Sequence, residues 1–181
     1  ALNPSVYRRR DDLANAQVSL SESDFIYVPS INLYVRKQRT LQGKNWFDAH
    51  KELQGRGSRM LTPIQFVEFL KYAKENNQGV YSDITQVRNL WRANWIDADF
   101  KAIGGKLHIN YNHVLNDGIL VPQNSELLDS DTLMKDKTPG ISLDDWLSSS
   151  HTSQGLPSKK IKSGSLYYWF PRSDNNSVSG F

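Results

Sequence analysis

Residues 95–114 constrain the chain more than any other segment, because their pairing can be registered from the letters alone. Gly104-Gly105 suits a two-residue type I′ turn, which needs positive φ at both central positions. Setting Ile103 opposite Lys106 brings the flanking runs 95–103 and 106–114 into antiparallel register. Phe100 then opposes Ile109, Ala98 opposes Tyr111 and Ile96 opposes His113. On the other face Lys101 meets His108, Asp99 meets Asn110 and Asp97 meets Asn112. One face is apolar and the other polar, as a half-exposed antiparallel pair requires. By this parity His113 faces away from both Asp97 and Asp99.

The strongest helix signal covers 62–76. Thr62 is a good N-cap, Pro63 occupies the first helical position where its missing N–H costs nothing, and Gln65 completes a capping box. Phe66, Phe69, Leu70 and Ala73 fall on one face, widened by Ile64 and Val67. A second helix is expected over 82–92, capped by Ser82. Shorter helices are expected at 46–53, ended by Gly55 and Gly57, and from Ser142, where Leu143, Trp146 and Leu147 form the apolar face. Strands are expected at 25–28, 31–37 and 166–170, with another beginning at Val178. Residues 115–140 read as a long irregular segment rich in Asn, Asp, Ser and Pro.

The 181 residues suit one domain, and 38% hydrophobic residues with 11% aromatics supply enough apolar surface for a core. We divide the chain into a polar lead-in, 1–22, and a single domain, 23–181. There is no cysteine, which excludes disulfides, thiolate zinc sites, iron–sulfur clusters and a Cys nucleophile. The net charge of +3 makes only a weak field, so charge alone is a poor argument for nucleic-acid binding. No stretch approaches the roughly 18 apolar residues of a membrane-spanning helix.

His50, His108, His113 and His151 show no metal-ligand spacing, and no metal or cofactor is expected. Asp97 and Asp99 share a strand face, yet each would sit opposite an Asn on a face that must be polar anyway. Asp129 and Asp131 open like a calcium loop, but Met134 and Gly140 stand where Gly and Glu are needed. No phosphate-binding loop, dinucleotide fingerprint, nucleophile elbow or His-Glu-x-x-His motif occurs. Tyr167, Tyr168, Trp169 and Phe170 could form a base-stacking platform, although such runs more often build a core or sheet surface. Asn175-Asn176-Ser177 matches a glycosylation acceptor, which matters only in a secretory context.

The C-terminal quarter carries an ordered series: Asp144-Asp145-Trp146-Leu147, then Gly155-Leu156-Pro157, then Gly164-Ser165-Leu166-Tyr167-Tyr168-Trp169-Phe170-Pro171-Arg172-Ser173-Asp174-Asn175-Asn176-Ser177-Val178. Upstream stand Leu61-Thr62-Pro63 with Phe66 and Phe69, Trp91-Arg92-Ala93 with Trp95-Ile96-Asp97-Ala98, and Leu107-His108-Ile109-Asn110-Tyr111-Asn112-His113. Over residues 59–181 this series resembles the target (variable) proteins of diversity-generating retroelements, in particular their archaeal, archaeal-virus and uncultivated-bacterial branch. Order and spacing carry more weight than any single motif.

The resemblance implies an α+β, C-type lectin-like fold of the formylglycine-generating-enzyme type, with two helices packed on a mixed, mainly antiparallel sheet. It implies a non-enzymatic scaffold whose C-terminal surface positions are diversified to bind variable protein or cell-surface ligands; if such a ligand serves attachment, the protein would sit on a virion or cell surface. The family's chain continues past the position of Phe181 into its variable repeat, so the ligand-binding residues are expected C-terminal to Phe181. No residue here is assigned to catalysis. The cysteines of the related sulfatase-modifying enzymes and the calcium-binding motifs of sugar-binding lectins are absent. The rival reading is a small basic nucleic-acid-binding module using Arg8, Arg9 and Arg10, Lys159, Lys160 and Lys162, and Tyr167, Tyr168, Trp169 and Phe170. It is ranked lower, because short charge runs are usually solvated. A hydrolase using Asp97, Asp99 or His113 would need those residues clustered, which the hairpin parity opposes.

Overall fold

The computed structural model describes residues 3–4, 6–9, 24–86, 94–128, 142–159, 161–162, 164, 170–171 and 178–179. They form a mixed α+β structure with four helices and largely antiparallel sheets among them. Contacts divide the chain into two compact units, residues 1–97 with 114–121, and residues 98–113 with 122–181. No helix of the described residues is long and apolar enough to cross a membrane.

In the first unit, β1 (Asn3–Pro4) runs parallel to β6 (Asn94–Trp95). A four-stranded sheet is built from β2 (Val6–Arg9), β3 (Phe25–Val28), β4 (Leu33–Arg36) and β5 (Arg59–Met60), in the order β3-β4-β2-β5. Strand β2 lies inside the segment read as a polar lead-in: Tyr7 pairs with Val35 and Arg8 with Tyr34. The β3–β4 connection is a 3-10 turn at Pro29–Ile31, closed by Asn32 at φ 52. Ile31 therefore belongs to the turn rather than to the strand expected from 31.

Helix α1 (Trp46–Gly55) starts where the Asn45 side chain accepts the Asp48 N–H. Helix α2 (Pro63–Asn76) has the expected capping box, with Gln65 Oε1 accepting the Thr62 N–H at 3.0 Å. Its stripe of Phe69, Leu70 and Ala73 is buried, and Phe69 and Ala73 meet Val28, Leu33 and Val35 of the sheet together with Leu61 and Val80. Each such large side chain contributes about 1.5–3 kcal/mol on burial. Helix α3 spans Gln78–Thr85, so the expected cap at Ser82 is corrected to Asn77. That residue ends α2, its N–H reaching Ala73 O at 2.8 Å, and its side chain accepts from Val80 N at 3.1 Å to start α3. Residues 87–92 of the expected helix lie outside the described residues.

A second apolar cluster joins Trp46, Ala49, Leu53 and Met60, with Leu120 packed against it. Leu120 arrives from a turn at Asp117-Gly118, where φ values of 51 and 78 are those of a type I′ hairpin turn. Nearby, Leu115 N donates to Gln54 Oε1 at 2.8 Å.

A three-stranded sheet of order β7-β8-β9 is built from β7 (Ala98–Ile103), β8 (Lys106–Asn116) and β9 (Ile119–Leu127), of which residues 98–113 and 122–127 belong to the second unit. From Ile103↔Lys106 to Ala98↔Tyr111 the β7–β8 register is the one read from the Gly-Gly turn. The last two expected pairs, Asp97 with Asn112 and Ile96 with His113, are not part of the ladder. Asn112 adopts φ 60 and breaks the strand's alternation. The irregular segment expected from 115 is corrected too, since β9 occupies its first part. Pro122 is accommodated because β9 is an edge strand. Helix α4 (Leu143–Ser148) is capped by Ser142, whose hydroxyl accepts from Asp145 N at 3.3 Å. Finally β10 (Phe170–Pro171) pairs antiparallel with β11 (Val178–Ser179), so Pro171 lies within a strand that was expected to stop before it.

Candidate functional site

A connected polar group in the second unit is built on β8 and β9. Ile109, Tyr111 and Leu128 form an apolar cluster with Ala98, Phe100, Leu107 and Leu156 around them. This placement buries the Tyr111 ring and brings its hydroxyl to Glu126, which accepts the phenol proton on Oε1. The second carboxylate oxygen accepts from Ser153 Oγ at 2.9 Å and from Gln154 Nε2 at 3.3 Å. Gln154 Nε2 also donates to Leu127 O at 2.9 Å. Burial pushes the Tyr111 phenol above its ordinary value, and the negative Glu126 beside it pushes the same way. Burial would raise Glu126 as well, but the hydrogen bonds from Tyr111, Ser153 and Gln154 outweigh it and hold the carboxyl below the usual range. A carboxylate with that many donors is a fixed anion and a weak general base near neutrality.

Ser153 and Gln154 come from a tightly wound segment. Trp146 donates its indole N–H to Gly155 O at 3.1 Å, and the His151 ring stands edge-on to Trp146 at 5.9 Å. Thr152 N reaches Leu156 O at 2.9 Å, Gly155 N reaches Thr152 O at 3.0 Å, and Ser158 N reaches Ser150 O at 2.8 Å. Gly155 sits at φ 72, a conformation side chains other than glycine's adopt at a cost. Ser142 N donates to Lys162 O at 2.9 Å, fastening the start of α4 to the chain beyond the loop.

Elsewhere on the same sheet, His113 Nε2 lies 3.6 Å from Asp99 Oδ1, and the His113 side chain is 2% exposed. Burial raises Asp99, yet its contact with His113, aided by Asn110 and Lys101, brings the net shift below the ordinary carboxylate value. The expectation that His113 faces away from Asp99 is thus corrected, and the left-handed backbone at Asn112 is the reason.

The first unit has its own buried polar pair. His50 Nε2 lies 3.5 Å from Asp97 Oδ1, with side chains 1% and 2% exposed. Trp46 stacks edge-on against His50, with ring centroids 4.3 Å apart, and donates its indole N–H to Ile96 O at 2.9 Å. Asp97 N donates to Leu61 O at 2.7 Å. So Asp97, expected on a solvated sheet face, is buried beside a histidine from α1.

The basic residues of the rival reading are distributed over both units. Arg8 and Arg9 lie in β2 of the first; Lys159 and Lys162 are exposed in the second. Arg10, Lys160, Tyr167, Tyr168 and Trp169 lie outside the described residues, as do Asp129 and Asp131. Sequence reasoning missed Glu126 and the partner of His50. The signal for Glu126 was present, since Asp117-Gly118 is a hairpin dipeptide followed by a strand of alternating exposure. No signal in the letters joins His50 to Asp97. No family model matches the chain, and no curated protein or solved structure matches it.

Proposed function

We propose that this chain is the display scaffold of a retroelement-diversified binding protein, non-enzymatic, with a C-type lectin-like fold of the formylglycine-generating-enzyme type. The reading rests on the ordered motif series of the C-terminal quarter. The observation that supports it best is that two of those motifs are in contact. Trp146 of the first donates to the Gly155 carbonyl of the second at 3.1 Å, which gives their spacing a physical purpose. A diversified binder needs a backbone that stays fixed while exposed side chains change. The braced α4 and the loop after it, followed by the β10–β11 pair, suit that requirement. The positions that contact ligand would lie C-terminal to Phe181, and the ligand would be a protein or cell-surface molecule.

Sequencing the locus beyond the Phe181 codon tests this. The expected result is a downstream near-copy of the gene's 3′ end that differs at adenines, beside a reverse transcriptase gene. A locus with neither would overturn the reading.

A further inference from the structure

We propose that Glu126 is a positioning residue, a latch whose carboxylate ties the loop at 149–158 to the edge strand β9 and so sets where the following chain departs. The inference rests on the display reading for its purpose, but its geometry stands independently.

Three donors from two places converge on one side chain. Tyr111 comes from β8 beneath it, while Ser153 and Gln154 come from the loop. Other hydrogen bonds shape the loop itself: Trp146 to Gly155, Thr152 to Leu156 and Ser158 to Ser150. Attachment to the sheet comes through Glu126, through Gln154 bonding Leu127 O at 2.9 Å, and through Leu156 in the apolar cluster. Glu126 is the member of this set that carries a charge, and charge-assisted hydrogen bonds are about twice as strong as neutral ones.

Protonation should therefore loosen the latch. The Tyr111 phenol is the titratable group hydrogen-bonded to Glu126, and the loop's own titratable side chain, His151, stands edge-on to Trp146. The loop contributes Ser153 and Gln154, which do not titrate, and the neighbours on its own strand are Ser125 and Leu127. With the carboxyl held below its ordinary value, the stabilisation is present above the unfolded value of about 4.3 and is lost as pH falls through the lower folded value.

Amide hydrogen exchange on the full chain, expressed as protection factors, tests this without any ligand. Glu126→Ala should lower protection at the Thr152 and Gly155 amides tenfold or more at neutral pH, while the Lys101 and His108 amides, a hydrogen-bonded pair of the β7–β8 ladder, stay protected. Wild type should lose the same loop protection in acid. Glu126→Gln should show no such acid step, a distinction that a purely space-filling role would not make. Unchanged loop protection in Glu126→Ala, or an equal acid step in Glu126→Gln, would overturn the proposal. Should Glu126→Ala unfold the sheet as well, Ser153→Ala decides. It removes one donor at an exposed position, and a loop protection unaltered by it counts against the latch. The locus sequence bears on the display reading alone, so the two can fail separately.

Discussion

His113 Nε2 lies 3.6 Å from Asp99 Oδ1, although strict strand alternation from the Gly104-Gly105 turn would put the two on opposite faces. The ladder holds as far as Ala98↔Tyr111, and Asn112 at φ 60 then takes up a residue without advancing the pairing. Asn is among the few residues other than Gly that visit this region routinely. A single left-handed residue thus converts a polar sheet face into a buried histidine–carboxylate contact.

That contact gives a pH dependence with a defined sign. Asp99 has a folded pKa below its unfolded value of about 3.9, so its contribution is complete above that value and is lost as pH falls through the folded one. Its side chain is 46% exposed, so solvent screens the effect and added salt should weaken it. Urea midpoints measured from pH 6 downward should fall less steeply below about pH 4 for Asp99→Asn than for wild type. Parallel curves would show that the contact contributes nothing.

The His50–Asp97 pair should matter more, because both side chains are almost wholly buried. Removing one member of a buried polar pair takes that interaction away from an almost dry site, at a cost of about 1–3 kcal/mol. Asp97→Ala is expected to lower unfolding stability by that order. Lys44→Ala, which breaks the half-exposed pair with Glu52 at 3.5 Å, should cost about 0–1 kcal/mol. Chemical denaturation of both variants checks the contrast, and equal losses would contradict it.

Elements specified by neighbouring residues were legible in the sequence. The α2 capping box, the Ser142 cap and the β7–β8 register each follow from a few adjacent letters and agree with the structure. Strand β9 was legible in principle from Asp117-Gly118, but Pro122 and the polar run of Gln123, Asn124 and Ser125 disguised it as loop. Strand β2 was hidden by Arg8, Arg9 and the surrounding charge, which look solvated until strands β4 and β5 supply partners on both sides. The Glu126 and His50 constellations depend on contacts across tens of residues, and local patterns carry no information about those.

Two glycines with equally open surroundings should respond in opposite directions to a methyl group. A Cβ at Gly55 or at Gly105 would meet nothing within 4 Å. Gly105 sits at φ +75, so Ala there incurs the left-handed backbone cost of about 1–2 kcal/mol. Gly55 closes α1 without a positive φ, so Ala there should stabilise by about 0.4–1 kcal/mol through the unfolded chain. Paired thermal melts of the two variants are the check, and a shift of the same sign in both would refute the argument.

Trp146 joins two motifs through one hydrogen bond, so its chemistry and its bulk can be separated. Trp146→Phe keeps a ring to face His151 but leaves the buried Gly155 carbonyl without the indole N–H. An unsatisfied buried acceptor costs about 1–3 kcal/mol. Trp146→Ala removes the ring as well, for a loss of about 3–5 kcal/mol. Loop protection at Thr152 and Gly155 should fall in Trp146→Phe while global stability drops only modestly. It should fall together with global stability in Trp146→Ala. If Trp146→Phe leaves the loop amides as protected as wild type, the indole bond is incidental and the two motifs are held together by packing alone.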